Sequence, residues 1–260
     1  LPGSAQTAET AACVPASAIP TGPRGGIRPP VHEAMPKISR RWIAAAATLA
    51  ALMNPNPVHA SLIIAFGDST TAPREGVRTY SQILADELQI GGVPVRIINA
   101  GIPGNTTRDA RQRFVRDVLA HKPDIVILQF GINDSAVDVW KNPPAEYSRV
   151  PLDEYQNNLR HFIRESRAGG SRVVMMTPNR LHWTPKLIEL YGKPPYDPAS
   201  SDGMNPILRS YVQAMTEVAG ELAVELIDVH QSMNRISDEE SAGLLLDGMH
   251  PNDAGHRNVA

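Results

Sequence analysis

Four short segments of the chain carry residue types that could together hydrolyse an acyl bond. Such a reaction needs a nucleophile, a base to take its proton, a group that orients the base, and donors for the developing oxyanion. Ser69 offers a hydroxyl in the turn after an apolar run, where the N-terminus of a helix would lie close. His250 can take the serine proton, and Asp247, three residues earlier, can fold back to hold one ring nitrogen. Although Asp247 could instead cap the next helix, these three residue types suit acyl transfer through a serine.

Three groups could donate hydrogen bonds to an oxyanion. Gly104 offers a backbone N–H with no side chain in the way, Asn133 offers a side-chain amide, and Ser69 offers its own backbone N–H. Losing one such donor typically costs ~10²–10³ in turnover. Gly104 could also serve a turn that needs a positive φ angle, and the two roles are compatible. Asp68 is expected to hold the turn by hydrogen bonds to nearby backbone and to take no part in the chemistry.

Strand-like and helix-like segments alternate from Ser61 onward and would bring these residues to one edge of a sheet. Short apolar runs of this kind are typical of strands that are covered on both faces. Their alternation with helices predicts a three-layer α/β fold, in which ligands bind beyond the carboxyl ends of the strands. Thr106 or Asn105 would cap the second helix. We predict strands at 62–66, 95–100, 124–131, 172–178 and 224–230, helices at 77–90, 106–121, 152–168 and 206–221, and a long surface loop at 179–204.

Read in order, the four segments resemble the sequence blocks of the SGNH hydrolases, also called the GDSL family of esterases and lipases. The blocks are GDST at 67–70, GIPGNTT at 101–107, GIND at 131–134 and DGMH at 247–250. The resemblance implies a three-layer α/β/α sandwich around a flavodoxin-like sheet of five parallel strands. It also implies that Ser69 is the nucleophile, that Gly104 and Asn133 join it at the oxyanion, and that Asp247 orients the base His250.

Two positions depart from the pattern of this family. Thr70 stands where the family often has Leu, and a GDST block is similar to that of its carbohydrate acetylesterases. The third block of those acetylesterases often carries His, whereas this chain has Ile132. The region Trp140–Tyr147 and the segment 179–204 could either frame a substrate or be ordinary surface loops.

The first 60 residues differ in character from the rest. Residues 1–34 are rich in Ala, Pro and Gly and are expected to be a disordered upstream or appended segment. After Met35, basic residues precede the short apolar run Trp42–Met53, and Val58-His59-Ala60 suits signal peptidase. We therefore predict a signal peptide at 35–60, an SGNH hydrolase domain at 61–260, and a secreted or periplasmic location. A retained membrane anchor is the alternative.

Composition narrows the choice of partners. The formal net charge is -2 and aromatic residues are 5% of the chain, so a nucleic-acid partner is not expected. Cys13 is the one cysteine in the sequence, which excludes an internal disulfide and a cysteine-based zinc site. Neither a phosphate-binding loop, a dinucleotide-binding glycine pattern nor an HExxH motif occurs, so no cofactor or metal is expected. The expected partner is a small-molecule or carbohydrate ester, without a stable membrane anchor.

Together these features predict an exported serine esterase that cleaves short acyl esters, in particular acetyl esters, through a Ser-His-Asp acyl-enzyme mechanism. A lysophospholipase, a thioesterase or an arylesterase would use the same residue types. A non-catalytic ligand-binding module on the same fold is the alternative from another class. The presence of every expected catalytic residue type disfavours that alternative.

Overall fold

Apolar runs bounded by Gly, Pro and polar residues form the strands of one sheet, and the amphipathic segments between them form helices. The computed structural model describes residues 60–260. The predicted upstream segment 1–34 and, apart from residue 60, the predicted signal peptide 35–60 lie outside the described residues. The strands are β1 (Ser61–Gly67), β2 (Val95–Gly101), β3 (Ile125–Gln129), β4 (Arg172–Met176) and β5 (Glu225–Ile227). The helices are α1 (Tyr80–Ile90), α2 (Thr107–Asp117), α3 (Ile132–Ser135), α4 (Leu152–Ala168), α5 (Pro185–Tyr191), α6 (Asn205–Glu221), α7 (Val229–Asn234), α8 (Asp238–Ala242) and α9 (Asp253–Val259), with a 3₁₀ turn at Leu119–His121.

All five strands run parallel, in the order β2-β1-β3-β4-β5. Strand β1 pairs with β2 on one side, where Ser61 lies opposite Val95, and with β3 on the other, where Ile63 lies opposite Ile125. This arrangement confirms the predicted flavodoxin-like sheet. The strand order reverses between β1 and β3, and the crevice beyond the strand ends at such a point is where ligands bind in sheets of this kind.

Alternate residues of β1 enter two separate hydrophobic cores. Ile64 and Phe66 pack with residues of α2, α4 and α6, whereas Ile63 and Ala65 pack with residues of α1 and α7. The first core contains a cluster of aromatic rings, in which the centroids of Phe66 and Phe114 are 5.5 Å apart. Because side chains alternate across a strand, this pattern places a layer of helices on each face of the sheet. The three-layer prediction is therefore confirmed.

Capping residues set the ends of several elements. Thr106 caps α2 as predicted, and the span of α4 agrees with the predicted helix at 152–168. Helix α1 begins three residues later than predicted, because Thr79 takes the cap position and its backbone N–H donates to Gln82. Strand β5 is shorter than predicted, since Asp228 caps α7 by accepting from the backbone of Gln231. Within residues 60–260, none of the helices combines the length and the apolar character that a membrane crossing requires.

The prediction of a long surface loop at 179–204 is wrong. The segment contains α5, which begins with the Thr184 cap followed by Pro185, a favourable pair at a helix start. Its large side chains pack into a third hydrophobic cluster together with residues of α3 and α6. Tyr191, Tyr196 and Met204 are buried in this cluster. Irregular chain can be buried in this way when side chains at uneven spacing meet apolar surface from other elements.

Candidate active site

The turn after β1 is held by a buried carboxylate. Asp68 accepts hydrogen bonds from the backbone N–H and the hydroxyl of Thr70, each at 2.8 Å, and its carbonyl oxygen accepts from the backbone of Ala72 at 3.0 Å. The predicted structural role of Asp68 is thereby confirmed. The bonds leave Ser69 at the tip of the turn, half-buried and directed at the pocket described below.

Ser69, His250 and Asp247 form a chain of hydrogen bonds. Ser69 Oγ lies 3.0 Å from His250 Nε2, and His250 Nδ1 lies 2.8 Å from Asp247 Oδ2. The other Asp247 oxygen accepts from the backbone N–H groups of Met249, at 3.1 Å, and His250, at 2.9 Å. A carboxylate at Nδ1 favours the tautomer in which Nδ1 carries the proton, so Nε2 is free to accept from the serine hydroxyl.

The electrostatics of Asp247 suit an orienting carboxylate. Partial burial by itself would raise its pKa, but the hydrogen bonds from His250 and Met249 outweigh that effect and lower the pKa below its usual value. Asp247 therefore stays ionised across the working range of an esterase and can stabilise a positive charge on the imidazole.

The loop after β2 presents an unpaired backbone donor. Gly104 has φ +79°, a conformation that favours glycine, and a Cβ there would meet no neighbouring atom within 4 Å. The turn therefore has the positive φ angle that was one possible reason for a glycine at this position. Within residues 60–260, neither the Gly104 N–H nor the Ser69 N–H donates to a protein hydrogen bond. Both groups are thus available to a ligand in the pocket that these residues line.

The short helix α3, which follows β3, contributes the third predicted donor. The Asn133 side chain is nine-tenths buried, and its Nδ2 donates to the carbonyl oxygen of Asn105 at 3.1 Å. The next residue, Asp134, is fully buried and accepts from the N–H of Thr107 at 2.8 Å and from its hydroxyl at 2.5 Å. Burial raises the pKa of Asp134 to about 7, against the opposing effect of these hydrogen bonds. Two adjacent residues of α3 therefore bond to the end of the loop after β2 and to the first residue of α2.

One pocket of about 490 Å³ is lined by Ser69, Gly104, Asn133, Asp247 and His250, so the structure brings together every residue predicted for the site. Other lining residues come from the segment 179–204 and include the tyrosine side chains of that segment. The suggestion that this segment could frame a substrate is therefore supported by its position. At the ends of the region Trp140–Tyr147, by contrast, both aromatic side chains are exposed and neither lines the pocket.

Three basic residues near the site were not identified from the sequence. Arg74 and Lys186 line the pocket and are exposed, and Arg149 lines it from the segment that precedes α4. Single arginines and lysines in loops carry no periodicity and match no motif, so only the folded chain shows that they converge.

A fourth basic residue, Arg113 of α2, lies behind the site and is buried. Its guanidinium donates to the carbonyl oxygens of Gly67, at 3.0 Å, and Ala100, at 2.8 Å, and to Asn105 at 2.7 Å. It therefore bonds the ends of β1 and β2, where the loops bearing Ser69 and Gly104 begin.

A second histidine that is close to His250 in the sequence lies away from the pocket. His256, six residues after His250, is buried in α9, with its ring centroid 6.2 Å from that of Tyr80. It does not line the pocket. Among residues 60–260, no group of three His, Cys, Asp or Glu side chains is arranged to hold a metal ion.

Comparison with known proteins identifies the family of the chain. The sequence model of the GDSL-like lipase/acylhydrolase family matches residues 65–257. An acetylxylan esterase of Geobacillus stearothermophilus is 30% identical over 170 residues, which is 64% of this chain and 69% of that protein. The isoamyl acetate-hydrolyzing esterase 1 homolog of Mus musculus is 29% identical over 207 residues, 75% of this chain and 76% of that protein.

A solved structure gives the same result at the level of the fold. The crystal structure of Axe2, an acetylxylan esterase from Geobacillus stearothermophilus, superposes with a TM-score of 0.59 at 26% identity. The match covers 77% of this chain and 90% of that chain. The family match spans most of the chain and includes all four sequence blocks, as the resemblance to SGNH hydrolases implied. This chain therefore belongs to the GDSL-like lipase/acylhydrolase family of carboxylic ester hydrolases.

Proposed function

We propose that this protein is an exported serine esterase that removes short acyl groups, in particular acetyl groups, from carbohydrate esters. The observation that carries the proposal is the hydrogen-bonded chain from Ser69 Oγ through His250 to Asp247. Two backbone N–H groups that make no hydrogen bond within residues 60–260, those of Ser69 and Gly104, belong to residues that line the same pocket. That combination has the components of nucleophilic acyl transfer: an activated hydroxyl, an oriented base and donors for negative charge.

In the first half of the reaction, Ser69 Oγ attacks the ester carbonyl carbon while His250 Nε2 takes the hydroxyl proton. The carbonyl oxygen gains the negative charge and lies among the N–H groups of Ser69 and Gly104 and the amide of Asn133. The imidazolium of His250 then gives its proton to the departing alcohol, and the C–O bond breaks to leave an acyl-serine.

In the second half, His250 takes a proton from water, and the resulting hydroxide equivalent attacks the acyl carbon. The same donors stabilise the second tetrahedral intermediate. Its collapse breaks the bond to Ser69 Oγ, which recovers its proton from His250, and the carboxylic acid leaves. Asp247 stays ionised throughout and stabilises the positive charge on the imidazole.

The pocket and the relatives together support an acetylated carbohydrate as substrate. A volume of about 490 Å³ leaves room beyond an acetyl group for the alcohol part of the ester. Tyr191 and Tyr196 give its wall aromatic faces together with polar groups, which suits a sugar ring better than a wholly apolar chain. The named activities of the relatives, acetylxylan esterase and isoamyl acetate hydrolysis, are both deacetylations.

The test is hydrolysis of p-nitrophenyl acetate, butyrate, octanoate and palmitate by the purified chain and by its Ser69→Ala variant. We expect acetate to be the best substrate and the variant to be at background. Ser201→Ala, a change on the exposed surface, is the matched control for loss of a serine hydroxyl. Full activity in Ser69→Ala would refute the mechanism, and a preference for octanoate or palmitate would favour a lipase instead. Acetylated xylan is the next substrate.

Export rests on the sequence pattern at 35–60 and has its own test. Mass spectrometry of the protein recovered outside the cytoplasm should give an N-terminus near Ser61. An intact 35–60 segment on membrane-bound protein would contradict cleavage and support a retained anchor.

A further inference from the structure

The orientation of the Asn133 amide is set from both ends. Its Nδ2 donates to the carbonyl oxygen of Asn105 at 3.1 Å, and its Oδ1 accepts from Arg149 Nη1 at 3.0 Å. A guanidinium has donors only, so it can bond the oxygen of the amide but not the nitrogen. Rotation of the amide by half a turn would place N–H against N–H at Arg149 and oxygen against oxygen at Asn105.

Arg149 is itself held by a buried carboxylate. Its Nη2 lies 2.7 Å from Asp138 Oδ1, and its Nε lies 3.0 Å from the same oxygen. Lys141 Nζ completes the cluster at 2.8 Å from Asp138 Oδ2. Burial alone would raise the pKa of Asp138, but the hydrogen bonds from Arg149 and Lys141 outweigh it and lower the pKa. The carboxylate therefore stays charged and fixes the guanidinium in one plane.

The backbone places Arg149 next to Asn133 although 16 residues separate them. The Arg149 N–H donates to the carbonyl oxygen of Ala136 at 2.9 Å, and the Val150 N–H donates to that of Asp134 at 3.1 Å. These bonds close the loop between α3 and α4 at its base, beside α3, which bears Asn133. The side chain thus reaches the amide from a closed loop, and it also lines the pocket.

The two hydrogen bonds also fix which neighbour each end of the amide meets. The nitrogen of Asn133 lies toward Asn105, in the loop that carries Gly104, while its oxygen lies toward Arg149.

We propose that Arg149 is a positioning residue for the oxyanion site. It holds the Asn133 amide so that the N–H group, and not the oxygen, faces the reacting carbonyl. The inference rests on the proposed function, in which Asn133 donates to the oxyanion. Arg149 acts through Asn133 and not by contact with the substrate. An amide free to rotate would spend part of its time with its oxygen toward a developing negative charge, which would raise the barrier.

A double-mutant cycle on the full chain tests this coupling. Arg149→Gln should lower kcat for p-nitrophenyl acetate by about 10- to 100-fold, less than outright loss of a donor, and leave KM close to that of the parent. In the Asn133→Ala background the same change should have almost no further effect, because the group that it positions is gone. Arg149→Lys keeps the charge without the planar fork and should retain more activity than Arg149→Gln.

The control is Arg160→Gln, which removes an arginine from an ion pair with Glu221 on the helices α4 and α6, outside the pocket. Should Arg149→Gln fail to fold, Asp138→Asn is the second variant, because it keeps the guanidinium but removes the charge that holds it. The fall in kcat caused by Asp138→Asn should likewise disappear in the Asn133→Ala background. The inference would be overturned if the falls in kcat multiply in the Arg149→Gln/Asn133→Ala double variant, or if Arg149→Gln alone leaves kcat unchanged. Either result would leave the esterase assignment standing. A folded parent that cleaves no ester would instead overturn the proposed function, and this inference with it.

Discussion

Ser69 Oγ lies 3.0 Å from His250 Nε2, although 181 residues separate the two in the sequence. The serine follows strand β1, which lies inside the sheet between β2 and β3, whereas the histidine follows α8 in the last part of the chain. Their approach depends on the β1 turn, which Asp68 holds, and on the 247–250 turn, which Asp247 holds through backbone N–H groups. Each half of the pair is thus positioned by a neighbouring aspartate whose hydrogen bonds are local.

Replacing Asp247 by Asn should lower kcat with little change in KM. We expect a fall of about 10²–10⁴, because an amide can donate to Nδ1 and so favour the tautomer that cannot accept the serine proton. Steady-state kinetics on p-nitrophenyl acetate measure it. Asp153→Asn, an exposed change in the first turn of α4, is the control. Equal activity in the two variants would show that Asp247 does not orient the base.

Replacing Arg113 by Met should cost both stability and activity. The change removes the hydrogen bonds that the buried guanidinium donates to the carbonyl oxygens of Gly67 and Ala100 and to the side chain of Asn105. We expect this loss to lower the free energy of unfolding by about 3 kcal/mol. Activity should fall as well, since the loops that carry Ser69 and Gly104 start at these strand ends. Urea denaturation and esterase assays measure the two effects.

The control for Arg113 is Arg116→Met on the same helix, because the Arg116 side chain is 74% exposed and pairs with Asp117 at the surface. Its unfolding free energy should change by less than about 1 kcal/mol. A similar loss in both variants would mean that the strand-end hydrogen bonds of Arg113 contribute little.

His256 should make the protein less stable in mild acid. Burial lowers its pKa to about 4, whereas in the unfolded chain the group takes up a proton below about pH 6.5. The unfolded state therefore binds more protons between these values, and this contribution to stability is complete above about pH 6.5 and is lost as the pH falls toward about 4. When the pH is lowered from 7.5 to 5, the free energy of unfolding of His256→Gln should fall by about 2 kcal/mol less than that of the parent. Urea denaturation at the two pH values measures the difference. Equal losses would contradict the prediction.

The basic residues around the pocket should favour esters with a negatively charged alcohol part. Arg74 and Lys186 line the pocket and are exposed, and Asp247, which pairs with His250, is its one acidic lining residue among those that the structure describes. Arg74 makes no ion pair within residues 60–260. We expect Arg74→Gln to lower kcat/KM for 4-acetoxybenzoate by about two- to tenfold relative to phenyl acetate at low salt.

Raising the ionic strength should reduce the preference of the parent for the anionic ester and barely affect the Arg74→Gln variant. Arg160→Gln serves again as the control for loss of a distant arginine. If the ratio of the two substrates is the same in parent and Arg74→Gln, this arginine takes no part in selecting the alcohol.

The sequence by itself determined the features that depend on neighbours along the chain. The strand ending at Gly67, the cap at Thr106 and the helix 152–168 all follow from residues within a few positions of one another. The four blocks are local in the same sense, so the five residues expected at the site could be named before any tertiary contact was known. Their order behind predicted strands was enough to indicate the parallel sheet and its ligand-binding edge.

Only the tertiary structure decided which groups that are distant in the sequence support those five residues. Arg113 and Arg149 act on carbonyl and amide groups that lie far from them in the sequence, and a single arginine has no pattern that reveals its partner. The same holds for the segment 179–204, whose buried tyrosines follow neither a helical nor a strand period. Periodicity reports burial only within a regular element, whereas the packing of irregular chain depends on surfaces that exist only once the other elements have assembled.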